Sequence, residues 1–161
     1  MEKQNETAES SLKTYILENT PARIRERYAH LKEYAQTHTF GTLDADVVVL
    51  DTETTGFSFN HDELIQIAAA RMCNGVIVEW YVTFVNPGKE IPDEVAHLTN
   101  IHEEDVAEAP DPDTALAGLV DFVGDSLVVA HNVGFDRTFV TKRAAGATLK
   151  NNIWIDSLDL A

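Results

Sequence analysis

A single cysteine, Cys73, leaves this chain no internal disulfide and no cysteine-built zinc site, and it makes the cytoplasm the default compartment. No uninterrupted apolar run is long enough to cross a bilayer. Residues 1–6 lack the basic start and apolar segment of a secretory signal, so neither a membrane span nor export is expected. Basic residues are scarce as well: 12 Lys and Arg face 27 Asp and Glu, a formal charge of −15. That balance argues against broad electrostatic binding along a nucleic-acid backbone. It leaves room for an enzyme that holds a few nucleotides through bound cations, which supply positive charge locally. What is present is a hydrophobic fraction of 44% in 161 residues, which suits one soluble domain with a proper core.

The chain is organised around Val47, Val48, Val49 and Leu50, followed at once by Asp51-Thr52-Glu53-Thr54-Thr55-Gly56. The β-branched run reads as a strand buried on both faces, with two carboxylates coming directly off its end. Residues two apart in an extended backbone point to the same side, so Asp51 and Glu53 face one point. Gly56 lets the chain turn away without steric cost. Two anions aimed at one spot repel unless a cation sits between them, and hard oxygen ligands suit Mg²⁺ or Mn²⁺. An isolated Asp-x-Glu is most often just the polar end of a strand. Here an apolar run precedes it, Thr-Thr-Gly follows it, and a further acid recurs downstream in a similar setting.

Residues 1–11 read as a disordered lead-in and residues 12–45 as a helical extension with a linker. In that extension Thr20-Pro21 starts a helix with Ile24, Tyr28, Leu31 and Ala35 at helical spacing among Arg23, Arg25, Arg27 and Lys32. This basic stretch reads as a solvated helix face or as a docking helix. Residues 64–70 and 76–85 read as two strands joined at Asn74-Gly75, a strong hairpin signal, so the first three strands form an antiparallel meander. Short helices follow at 92–98 and 103–106, with Asn100 between them suited to a left-handed backbone. Asp111-Pro112-Asp113 caps a helix that stops at Gly124. Residues 126–130 are another strand, and His131-Asn132-Val133-Gly134-Phe135-Asp136 opens a helix carrying Phe139, Val140 and Arg143. Asp136 thus stands in a first helical turn just past a strand, where a carboxylate is also favoured by the helix dipole alone. Residues 153–156 form the last strand, and a helix begins after it.

That order fits an α/β chain of the ribonuclease H-like fold, a mixed five-stranded sheet flanked by helices. The two segments Asp51–Gly56 and His131–Asp136, each after a strand, resemble the first two motifs of the DnaQ-like (DEDDh-type) 3′–5′ exonucleases, the family of the proofreading epsilon subunit of bacterial DNA polymerase III. Asn86-Pro87-Gly88, Ile91-Pro92 and Leu98-Thr99-Asn100-Ile101 resemble the intervening segment, with Asn100 where Gly is usual, and the likeness covers about residues 46–161. The resemblance implies metal-dependent hydrolysis of nucleic-acid 3′ ends to nucleoside monophosphates, in proofreading or repair. Two Mg²⁺ or Mn²⁺ ions would be held by Asp51, Glu53 and Asp136. Thr54, Thr55, Gly56, Phe57 and Asn132 would meet the terminal nucleotide. The partners implied are a single-stranded or frayed 3′ end of DNA, with RNA as a variant, and a DNA polymerase subunit. The family's third motif, a His and then an Asp on a late helix, has no counterpart among His30, His38, His61, His97, His102 and His131. The expectation is therefore an exonuclease domain lacking its last helices and nearly inactive in isolation.

Two other readings compete. A degenerate, non-catalytic nuclease fold acting as a binding module would have no reason to bind Mn²⁺ at Asp51 and Glu53. An aspartyl phosphatase also places acids two apart after a strand, but it needs Asp where this chain has Glu53.

Overall fold

The structure is a computed structural model, and it describes residues 47–160 apart from Gly75. The expected lead-in and helical extension at 1–45 lie outside the described residues. Five strands form one sheet in the order β3-β2-β1-β4-β5: β1 (Val47–Thr54), β2 (Leu64–Cys73), β3 (Val76–Phe84), β4 (Leu127–Ala130) and β5 (Trp154–Asp156). The first three pair antiparallel, as the hairpin signal implied, and Asn74 takes the positive φ of 51° that such a turn asks for. β4 and β5 join in parallel, Val47 opposite Leu127 and Ala130 opposite Asp156. The mixed sheet is the one expected.

Among the described residues the helices are α1 (Asp93–Thr99), α2 (Glu103–Val106), α3 (Pro112–Val123), α4 (Val133–Thr141) and α5 (Ser157–Leu160), with a 3₁₀ helix at Ala144–Asn151 that the sequence reading did not place. Asp111 caps α3 by accepting from the N–H groups of Asp113 (3.0 Å) and Thr114 (3.1 Å). Asn100, at φ 56°, ends α1 in the left-handed conformation. α4 ends at Thr141, so Arg143 falls outside it, before the 3₁₀ turn.

Alternation along β1 divides the molecule. Val48, Leu50, Thr52 and Thr54 point into a core made with Leu116, Leu119 and Val123 of α3, Phe139 and Val140 of α4, and Leu149 of the 3₁₀ helix. Close packing of α3 on the sheet depends on Gly118. A Cβ there would stand 2.6 Å from the Tyr81 hydroxyl, which instead reaches past to donate to the Ala115 carbonyl at 2.7 Å. A smaller cluster of Ile65, Ile91, Ile101 and Val106 seats α1 and α2 at the end of the meander.

Two expectations about β1 need correction. The strand does not end at Leu50 but continues to Thr54, because Asp51 and Glu53 keep pairing with Ala68 and Gln66 of β2. Nor is it buried on both faces. Val49 is 39% exposed and Trp80, on the same face, is 64% exposed, with Val78, Val82 and Phe84 also exposed. The β-branched run reflects strand propensity and one packed face, since no described helix covers the other.

Candidate active site

The site forms at the end of β1, beyond Val49, the last residue that pairs with β4, while β2 still runs alongside. Asp51 and Glu53 project to the open face, opposite Ala68 and Gln66. Burial pushes the Glu53 carboxyl above its ordinary value, and the nearby Asp51 adds to the rise. Between them Thr52 points the other way, into the core, and its hydroxyl donates to Asp136 Oδ1 at 2.7 Å across 84 residues of sequence. That bond fastens the first turn of α4 to β1.

Asp136 is 2% exposed. Burial raises its carboxyl to about pKa 6; the Thr52 hydroxyl opposes the rise and the charge of Asp51 reinforces it. The charge of Asp51 thus acts on both other acids, on Glu53 beside it on the open face and on Asp136, which reaches β1 from its core side. Among the described residues they do not close into a ready-made group of three metal ligands. The donor chemistry still fits a hard divalent cation: all three acids supply oxygen, and a nearby cation would oppose the rise in proton affinity of Glu53 and Asp136. Mg²⁺ commonly keeps several waters and takes only one or two carboxylates directly.

Beside these acids lies a cleft of about 540 Å³, walled by Thr52–Phe57 and Asp62 on one side, by Pro92, Glu94, Val95, Leu98 and Thr99 of the α1 region on the other, and by Phe135. Phe57 (82% exposed) and Leu98 (79% exposed) stand at its rim as large apolar side chains facing solvent. Phe57 meets Phe135 edge-on at 6.0 Å, and Phe135 rests on Phe139, so the rim is backed by the core. Another cleft among the described residues lies at the amino ends of β4 and β5, near Gly124 and Asn152, away from every acid named here.

The loop after β1 is built around Asp62. Its carboxylate accepts from the Thr55 hydroxyl (2.9 Å) and the Ser58 N–H (2.9 Å) and pairs with Lys89 (3.3 Å). Gly56 is required there, because a Cβ would lie 2.5 Å from Asp62 Oδ2. Lys142, at the end of α4, donates to the Asp62 and Phe59 carbonyls and pairs with Glu63 at 3.4 Å, pinning the loop to the helix that carries Asp136.

Of the residues expected to meet a nucleotide, Thr54, Thr55, Gly56 and Phe57 line the cleft. The hydroxyls of Thr54 and Thr55 are already engaged, the first on the Gly56 carbonyl at 2.6 Å and the second on Asp62. The Thr55 N–H is committed to the Glu63 carbonyl at 2.8 Å. Asn132 is placed elsewhere. It sits at φ 61° before α4, its side chain makes no cap, and its N–H donates to Asp156. Thr52, Asp62 and Leu98 were not singled out from the sequence. Period-2 alternation does put Thr52 on the core side, but it cannot name Asp136 as its partner.

A family model described as an exonuclease (RNase_T) matches residues 48–161. The chain is 41% identical over 122 residues to the PolC-type DNA polymerase III of Clostridium perfringens and 35% identical over 120 residues to that of Staphylococcus aureus. These alignments take in 74% and 73% of this chain but 8% of either polymerase, so the chain spans a small part of the relatives it matches. Among solved structures, exonuclease X in complex with 5′ overhanging duplex DNA superposes with a TM-score of 0.54 at 25% identity, over 71% of this chain and 61% of that one. Apo exonuclease I superposes with a TM-score of 0.62 at 20% identity, over 73% and 30%, which speaks to the fold alone.

Proposed function

The chain belongs to the exonuclease family, and we propose from that premise that it acts as a metal-dependent 3′–5′ exonuclease, releasing nucleoside monophosphates from single-stranded or frayed 3′ ends. The observation that carries this reading is the Thr52 hydroxyl bond, which brings Asp136 to the same strand end as Asp51 and Glu53. DNA is the favoured substrate and replication proofreading or repair the favoured setting, in the cytoplasm, because the curated relatives are DNA polymerases and exonuclease X was solved on DNA. A polymerase subunit is the partner this setting implies.

In this reading Asp51, Glu53 and Asp136 would hold the divalent ions, Mg²⁺ or Mn²⁺. Bound there, such a pair would neutralise the scissile phosphate and acidify the attacking water. The rest is done by the protein. Asp51 faces solvent and is free to meet an incoming phosphate's counter-ions. Thr52 keeps the Asp136 carboxylate turned to β1. The backbone of Thr54–Gly56 lines the floor on which the terminal nucleotide would lie, and Phe57 offers a ring for base stacking. Leu98 faces it from α1 as a second apolar contact.

A second reading, a nuclease fold kept as a binding module, is favoured by the lack of a closed three-ligand group among the described residues. One experiment separates the two. Mn²⁺ is titrated calorimetrically into the wild type and Asp51→Ala, and both are incubated with a 5′-labelled single-stranded oligonucleotide. The nuclease reading expects Mn²⁺ binding, and any stepwise shortening of the labelled strand, to vanish in Asp51→Ala. Identical titrations for the two proteins would overturn it.

A further inference from the structure

The geometry points to Asp156 as the residue that positions Asp136, by clamping the turn from which the Asp136 helix starts. This inference rests on the exonuclease reading above and extends it to a residue that carries no role there.

The start of α4 has a requirement that the helix does not meet from its own residues. A helix start leaves several N–H groups without partners, and the residue before it usually supplies a side-chain acceptor. Asn132 occupies that position in α4 and supplies none. It also adopts a left-handed backbone, φ 61° and ψ 56°, which Asn tolerates better than other residues with a Cβ but which points its N–H away from any partner within the helix. Asp156 meets both needs from a different strand. One oxygen accepts the Asn132 N–H at 2.9 Å and the other accepts the Val133 N–H at 3.0 Å. The first oxygen also accepts the Leu158 N–H at 2.9 Å, which fixes the carboxylate to its own backbone.

The clamp is carried by rigid elements. Asp156 ends β5 and pairs in register with Ala130, the last residue of β4. A second link spans the same gap, His131 Nδ1 to Ser157 Oγ at 3.1 Å. The Leu158 N–H, more than any other group, holds the Asp156 carboxyl below its ordinary range, and the Val133 and Asn132 N–H groups and His131 act the same way. The acceptor is therefore an anion at the positive end of a helix, the stronger form of such a bond.

Its reach to Asp136 is one helical turn. Asp136 lies four residues beyond Asn132, and its carboxylate accepts from the Thr52 hydroxyl. Side chains lie about 5–6 Å from a helix axis, so a rotation of α4 by about 20° moves that carboxylate by about 2 Å. A misplacement of about 1 Å in a catalytic constellation can cost about 10²-fold in rate. Without Asp156 the Asn132 and Val133 N–H groups lose their acceptor, and the first turn of α4 is held to β5 less firmly.

The test compares Asp156→Ala and Asp156→Asn with the wild type, Asp136→Asn, and Leu119→Ala as a core-destabilised control. Circular dichroism verifies folding, and bound Mn²⁺ is read from the loss of the free-ion paramagnetic resonance signal. Outer-shell partners of metal ligands typically contribute about 10- to 100-fold in affinity. Asp156→Ala should weaken the Asp136-dependent component of Mn²⁺ binding by about tenfold or more, and Asp156→Asn, which keeps one acceptor oxygen, should recover part of it. Leu119→Ala should melt earlier yet bind Mn²⁺ as the wild type does. If the alanine variant does not fold, Asp156→Asn carries the comparison alone, with a loss of a few-fold expected. Folded Asp156 variants with wild-type Mn²⁺ binding, beside an Asp136→Asn that has lost it, would overturn this inference and leave the nuclease reading standing. A wild type whose Mn²⁺ binding is unchanged in Asp136→Asn would overturn both.

Discussion

Replacing Asp136 by Asn should make the metal-free protein more stable at neutral pH, not less. The side chain is 2% exposed and its carboxyl is raised from the ordinary 3.8 to about 6, chiefly by burial. At about 1.4 kcal/mol for each tenfold change in proton affinity, keeping this group ionised costs about 3 kcal/mol. The amide introduced by Asp136→Asn is neutral and can still accept from Thr52, and the raised value already includes what the Thr52 bond gives the ionised form. The net expectation is a gain of about 3 kcal/mol, or about 8 °C in Tm for a domain of this size. The pH dependence carries the same signature. Between about pH 3.8 and about pH 6 the folded wild type binds this proton more tightly than the unfolded chain does. Its contribution to stability is full below that window, falls as pH rises through it and is absent above. Asp136→Asn should lack this slope. Divalent metal should offset most of the gain from Asp136→Asn, since an ion present at about 100 times its Kd stabilises the form that binds it by about 2.7 kcal/mol. Urea unfolding in EDTA and in Mn²⁺, from about pH 4 to about pH 8, measures all three effects. An Asp136→Asn protein less stable than the wild type at neutral pH in EDTA, with a parallel pH profile, would refute the claim that burial dominates this carboxylate.

Thr52→Val keeps the shape and removes the hydroxyl that donates to Asp136, so it should cost about 1–3 kcal/mol at neutral pH in urea unfolding and much less below about pH 4, where Asp136 is protonated. Phe57→Ala and Leu98→Ala remove exposed side chains at the rim of the cleft and should leave Tm within about 1 °C. Each should weaken binding of a single-stranded oligonucleotide by about 1–3 kcal/mol in a Mn²⁺-containing anisotropy assay, and unchanged affinity in both would remove the cleft from the substrate path.

Much of this molecule was legible before any coordinates. The alternation of residues 47–54 gave Asp51 and Glu53 a common side, Asn74 marked the hairpin, and Asp111 and Gly124 bracketed α3. These signals are local: strand alternation repeats every two residues and helix caps act within one turn, so a short window contains all the physics that sets them. The two motifs likewise pointed to the exonuclease family that the family model matches. The 3₁₀ helix at 144–151 escaped because it carries no helical periodicity or cap of its own.

What only the tertiary structure decided is which of these pieces meet. Asp136 joins the acids of β1 because β4 pairs in parallel with β1, which delivers the start of α4 to the strand end where Thr52 waits. Asp156 reaches Asn132 and Val133 because β5 lies beside β4 in a fixed register. The exposure of Val49 and Trp80 on one sheet face follows from where the described helices pack and not from any property of the strands. Contacts between residues 24 or 84 apart depend on the packing of the whole sheet, and a stretch of a few residues holds no record of it.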